Sequence, residues 1–175
     1  NNILQERLNP RKKGEPQMSF KGFYLRKGDK VMQIKNNYDL MFKKDNGEIG
    51  SGIYNGDVGF ITDIDLRGGI LKVRYDDKEA TYFSEDLSQL ELAYAVTVHK
   101  SQGSEYSCVI LPLFEVPQKL KYRNLLYTAV TRAKKILVAV GNEEVWQEMA
   151  ANDRKTLRYT MLKTFIEKGH RVENF

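Results

Sequence analysis

Two stretches decide how the chain is read: residues 93–107, AYAVTVHKSQGSEYS, and residues 125–134, LLYTAVTRAK. In the first, Ala95, Val96, Thr97 and Val98 run directly into His99, Lys100, Ser101, Gln102, Gly103, Ser104 and Glu105. A β-branched run followed by a polar one predicts a strand over 93–98 that delivers a loop of donors and acceptors. In the second, Leu125, Leu126, Ala129, Val130 and Ala133 recur at three- and four-residue spacing. That spacing predicts a helix near 119–132, with Thr128 and Arg132 off its apolar face and one arginine held at a helix end.

Working outward, residues 108–113 and 135–141 are apolar enough for strands, so strand, helix and strand follow with short links. Such a unit predicts a parallel sheet covered by helices. Asn142 is placed to cap a further helix whose first turn holds Glu143 and Glu144 and which Trp146 packs down. A last helix is expected over 153–168, with Leu157, Met161, Leu162 and Phe165 on one side. Upstream, residues 55–92 alternate in short runs broken by Gly68 and Gly69 and by Asp76 and Asp77, the pattern of a small β-barrel. There Tyr75, Tyr82 and Phe83 suit either stacking platforms for bases or the barrel's own core. Residues 36–56 read as a long connection, and residues 9–22, with prolines, glycines and cations, as a loop. Before them, Ile3, Leu4 and Leu8 predict a short helix that Pro10 stops.

Composition narrows the function classes. The chain has 175 residues, 41% hydrophobic and 29% charged, ordinary for a globular protein with one core or two small ones. No apolar run approaches the roughly 18 residues of a membrane span, so a cytoplasmic protein without a membrane partner is expected. Cys108 is the single cysteine, which excludes an internal disulfide and suggests a buried thiol. With two histidines, no zinc-type cluster assembles from Cys and His, and no metal-ligating residue is assigned. The net charge of +5 comes entirely from residues 1–27, which suits attraction to a phosphate backbone. No Gly-Lys-Ser or Gly-Lys-Thr occurs and no Asp-Glu pair follows an apolar strand, so the phosphate cradle and magnesium carboxylate of an ATPase are missing. The chain alone is therefore expected not to hydrolyse ATP, and it reads as the C-terminal part of a larger polypeptide.

The HKSQGSE and YTAVTRAK segments resemble motifs V and VI of superfamily 1 helicases, most closely the RecD type. LQERLNP (4–10), GDKVMQIKNNYDL (28–40) and NGDVGFI (55–61) resemble RecD-type sequence in the same order. The resemblance implies an α/β fold: part of a RecA-like, P-loop NTPase-type motor domain with a parallel sheet, plus an inserted small SH3-like β-barrel. It divides the chain into 1–50 (first part of the second motor domain), 51–92 (barrel) and 93–175 (remainder of that domain). It implies an ATP-dependent DNA helicase moving 5′-to-3′ in recombination and repair, with ATP and Mg2+ bound mainly by an N-terminal motor domain. Single-stranded DNA, that motor domain and other exonuclease V subunits are the implied partners. Residue by residue, Arg132 matches a catalytic arginine finger, Gln102, Gly103 and Glu105 face nucleotide, and Thr97, His99 and Lys100 contact the DNA backbone. Competing readings are the helicase part of a TraA-type conjugative relaxase and, since NGDVGFITDI and LKVRYDD also resemble ribosome- and transcription-associated barrels, a non-enzymatic nucleic-acid-binding module.

Overall fold

Along β7 (Ile70–Tyr75), Leu71, Val73 and Tyr75 are buried while Ile70, Lys72 and Arg74 are half-buried, the two-residue period of a strand packed on one face. In the computed structural model, which describes residues 1–153 and Ile166, β7 lies near the middle of the largest sheet. It pairs antiparallel with β6 (Val58–Asp65) and β8 (Lys78–Phe83). The turns at Gly69 (φ 64°) and Asp76 (φ 43°) are left-handed, as the strand twist prefers. Beyond β8 lie β4 (Asn37–Lys44) and β5 (Ile49–Ile53); beyond β6 lie β3 (Lys30–Gln33) and β9 (Leu90–Leu92). The order is β5-β4-β8-β7-β6-β3-β9, antiparallel throughout.

Two of these strands, β3 and β4, precede residue 51 and β5 spans it, so the sheet is larger than the expected 51–92 unit, and residues 36–56 form a hairpin rather than a long connection. A register shift between Asn37 and Met41 hid the alternation there. Among the described residues no pairing joins β5 to β9, so the expected closed barrel is an open sheet in its pairing. A second register shift, between Ile61 and Asp63, brings Ile61 and Ile64 both inward and leaves Phe60 exposed, a β-bulge that simple alternation misses. Leu25, Val31, Ile53, Leu71, Val73, Ala80 and Tyr82 are fully enclosed. Within this core the Tyr75 and Tyr82 hydroxyls lie 2.6 Å apart, and Tyr82 donates to Gln33 Oε1 at 2.9 Å. Tyr75 and Tyr82 are thus core, and only Phe83, half exposed, remains a stacking surface.

The expected loop at 9–22 contains a strand. β1 (Gln17–Phe20) and β2 (Phe23–Arg26) form a hairpin on a two-residue turn, Lys21 (φ 45°) and Gly22 (φ 84°), and bury Met18 and Leu25 in the same core. Helix α1 (Asn2–Leu8) ends before Pro10 as expected, yet it buries Gln5 and leaves Ile3 and Leu8 exposed.

The second unit is smaller. β10 (Tyr106–Leu113) and β11 (Ala133–Gly141) pair in parallel, with α2 (Arg123–Val130) between them in sequence and α3 (Glu143–Ala151) after them. The strand-helix-strand order holds, with a 3-10 turn (Gln118–Leu120) where the helix was expected to begin. Leu113, Leu126, Val145 and Met149 form its core, with Trp146 against it; Asn142 occupies the cap of α3 without a side-chain cap bond. The other sheet face is open. Cys108, Ile110 and Pro112 stand beside Ile136, Val138 and Val140, and Ile110 is 68% exposed. This open face corrects the expected buried thiol, since Cys108 is exposed. At Gly141 a Cβ would meet Leu113 O at 2.1 Å, so only glycine allows the strands to close there. Most of the expected last helix lies outside the described residues.

The expected strand over 93–98 is absent. After Ala93 N–H donates to Lys30 O at 2.8 Å, residues 94–105 form bends and turns with no ladder partner. A β-branched run makes a strand only where a neighbouring strand offers its donors and acceptors.

A candidate site where the 97–105 loop meets Arg132

Residues 97–104 fold into successive turns. Ser101 N–H donates to Thr97 O at 3.1 Å, Gln102 N–H to His99 O at 3.3 Å, and Ser104 N–H to Ser101 O at 3.1 Å. Ser101 is buried and its Oγ donates to Val98 O at 2.8 Å. These bonds turn Thr97, His99, Lys100, Gln102 and Glu105 outward, and all five are exposed. Gly103 has φ 84° and a Cβ there would meet nothing within 4 Å, so the left-handed turn, not crowding, calls for glycine.

Arg132 sits just past α2, whose last turn ends at Thr131. Its Nε donates to Thr128 O at 3.1 Å and its Nη2 to Thr131 Oγ1 at 3.3 Å, which steadies the guanidinium against the helix end. Its Nη1 crosses to Ser104 O at 2.9 Å, and its own carbonyl accepts from Tyr106 N–H at 2.8 Å. Residues 93–107 and 125–134 are therefore joined in both directions. Three of the five guanidinium N–H groups are committed to these partners, leaving two for an incoming oxygen.

The charged loop residues already have partners that sequence reasoning missed. Lys100 Nζ pairs with Glu91, and Lys134 Nζ lies 3.0 Å from Glu105 Oε2. Exposed pairs of this kind contribute about 0–1 kcal/mol, so a phosphate or hydroxyl can displace them. Tyr94, at the start of the stretch, has its hydroxyl pushed up to about 12, first by burial and then by its bond to Asp29. A largely apolar groove of about 540 Å³ runs beside the loop between α1, residues 93–98 and β10, and Arg132 and Ser101 are at its wall. Among the described residues, no three His, Cys, Asp or Glu side chains gather as a metal set.

Residues 1–75 match the family described as the SH3 domain of ATP-dependent RecD-like DNA helicases, and residues 92–140 match the UvrD-like helicase C-terminal domain. The chain belongs to the RecD-like helicases. It is 34% identical over 160 residues to the ATP-dependent RecD2 DNA helicase of Deinococcus radiodurans, covering 91% of this chain and 20% of that protein. It is 36% identical over 116 residues to the RecBCD enzyme subunit RecD of Mycolicibacterium smegmatis, covering 66% of this chain and 20% of that one. This RecD-like chain thus spans about a fifth of the length of these curated relatives. Its fold is similar to that of Bacteroides Pif1 solved with single-stranded DNA, at TM-score 0.53 and 16% identity, over 96% of this chain and 43% of the other. In this RecD-like chain the first match stops at the end of β7, and the second begins at the end of β9, where the 93–105 stretch starts.

Proposed function

We propose that this chain is the second half of the motor of an ATP-dependent, RecD-like DNA helicase that moves 5′-to-3′ along a single strand in recombination and repair. The observation that carries the proposal is the Arg132 Nη1 bond to Ser104 O at 2.9 Å, which makes one site of a loop and an arginine from distant parts of the sequence. Thr97, His99 and Lys100 stand at one end of that loop as hydroxyl, imidazole and ammonium donors for phosphate oxygens. Gln102, Gly103 and Glu105 stand at the other, where the open space over Gly103 admits a nucleotide and Glu105 accepts from a ribose hydroxyl. Arg132 is the arginine finger: pinned at Nε, it directs its remaining N–H groups to the terminal phosphate and stabilises the charge that develops on transfer.

ATP arrives with Mg2+ on the other motor half, since this chain carries no phosphate-cradling Gly-Lys-[Ser/Thr]. Its own residues complete the site when the two halves close. The small β unit extends over 17–92, earlier than the 51 boundary expected from sequence, and the motor element begins at 93; this unit lies along the exiting strand. Other exonuclease V subunits are partners in this proposal, and the setting is cytoplasmic. The test is DNA-stimulated ATP turnover by a polypeptide that joins this chain to the phosphate-binding half. Arg132→Ala should lower kcat about 10³-fold or more while nucleotide still binds. Unchanged turnover rejects the arginine's role.

A further inference from the structure

Residues 94–105 have no strand ladder, yet their register must be fixed if the loop is to meet two ligands. What fixes their upstream end is a buried carboxylate in the β2–β3 turn. Asp29 is fully enclosed, and its backbone is stitched to β6 by the Ile61 N–H bond to Asp29 O at 2.9 Å. Its Oδ1 accepts from Tyr94 Oη and from Asn9 Nδ2, both at 2.8 Å. Its Oδ2 accepts from Gln5 Nε2 at 2.5 Å and Arg26 N–H at 2.7 Å. Four donors fill the acceptor capacity of one carboxylate, and they come from three places: α1 with its cap, the turn itself, and the entry to the loop. This explains why α1 buries Gln5 instead of its leucines.

The same helix holds the next residue of the loop stretch. Asn1 Nδ2 donates to Ala95 O at 3.0 Å and Asn1 Oδ1 accepts from Ala95 N–H at 2.8 Å, the two-bond exchange a neighbouring strand would otherwise make. Thr97 follows two residues later. The pins on 93–97 are therefore Lys30 O, the Asp29 carboxylate and Asn1, while Ser104 at the far end is pinned by Arg132.

We propose that Asp29 is a positioning residue for the 97–105 loop: through Tyr94 and α1 it locks the loop's entry to the small β unit, so that movement of that unit and grip on the DNA strand are mechanically one event. The proposal rests on the assignment of Thr97, His99 and Lys100 to the DNA backbone. Asp29 touches neither ligand; its effect passes through Tyr94 and α1.

The experiment compares wild type with Tyr94→Phe, Asp29→Asn and Asp29→Ala in the polypeptide carrying both motor halves. It reads amide hydrogen exchange peptide by peptide, together with KM for single-stranded DNA and kcat of the stimulated ATPase. Tyr94→Phe removes only the hydroxyl, with its bonds to Asp29, Asn9 and the Lys30 backbone, so exchange in 93–105 should rise about tenfold while β6, β7 and β8 stay protected. KM for DNA should rise several-fold with kcat little changed, and Asp29→Asn, which keeps one oxygen, should fall between Tyr94→Phe and Asp29→Ala. Should Asp29→Ala not fold, Tyr94→Phe decides. Unaltered exchange in 93–105, exchange rising equally through β6–β8, or a looser loop with an unchanged KM for DNA would each overturn the proposal. The DNA assignment fails separately: if His99→Ala and Lys100→Ala leave DNA affinity untouched while Tyr94→Phe still loosens 93–105, the link is real and the loop's ligand is wrong.

Discussion

The seven-stranded sheet and the two-stranded parallel unit use similar apolar residues to opposite effect. In the sheet, Leu71, Val73, Ile53 and Tyr82 are enclosed on all sides and even the polar Gln33 and Asp29 are satisfied internally. In the parallel unit, one face packs on α2 and α3 while Ile110, Ile136, Val138 and Val140 face outward. The first region completes its own core; the second presents a positioned arginine but leaves one apolar face uncovered. Stability and the proposed chemistry are thus separated, and the joint between them is the 93–105 stretch.

The largest effect expected from that contrast is on stability. Leu71→Ala should cost about 2–5 kcal/mol in urea unfolding, because its site is fully enclosed, whereas Ile136→Ala at 56% exposure should cost under about 1 kcal/mol. Equal losses would mean that the parallel unit's open face is packed in solution.

Alkaline titration sharpens the contrast. Burial is the main cause that raises the Tyr75 and Tyr82 hydroxyls well above their ordinary range, and Tyr94 is pushed up to about 12. Unfolded tyrosine loses its proton near pH 10, so these groups leave stability intact below about 10 and erode it as pH climbs from there toward the folded values. For Tyr75 and Tyr82 the loss reaches up to about 1.4 kcal/mol per pH unit per group, and Tyr82→Phe should flatten it in urea titrations between pH 9 and 11. A slope that is unchanged in Tyr82→Phe would contradict the burial account.

A smaller effect is expected at the joint. Glu91 holds Lys100 in an exposed ion pair, so Glu91→Gln should free the ammonium and raise single-strand affinity a few-fold at low salt, converging with wild type as salt rises. Lower affinity in that variant would mean that Glu91 orders the loop instead of competing for its lysine.

Much of this was legible in the sequence. Period-two alternation in β7, the turns at Gly69 and Asp76, and the spacing of Leu126 and Ala129 in α2 all survive in the structure. What failed did so for local physical reasons. A register shift in β4 broke the alternation that reveals a strand, one in β6 changed which of its residues face inward, and Lys21 with Gly22 is a weaker turn signal than Asn-Gly. Cys108 and the 93–98 run carry the composition of buried strand, but burial depends on what lies opposite, which composition does not encode. Arg132 and the loop could be singled out by residue type, whereas the Ser104 carbonyl that joins them and the Asp29 carboxylate that anchors Tyr94 are contacts across 28 and 65 positions, and only the fold brings them together.

In the proposed motor, both the grip on DNA and its coupling to nucleotide depend on the loop held by Arg132 meeting a phosphate backbone. The most direct measurement is the affinity of the wild-type chain and of Lys100→Ala for a single-stranded oligonucleotide across a range of salt. Binding should weaken as salt rises, equally for unrelated base sequences, with the logarithmic slope shallower by about 0.7 in Lys100→Ala, the loss of one phosphate contact. Salt-independent binding, or an identical slope in the variant, would contradict that contact.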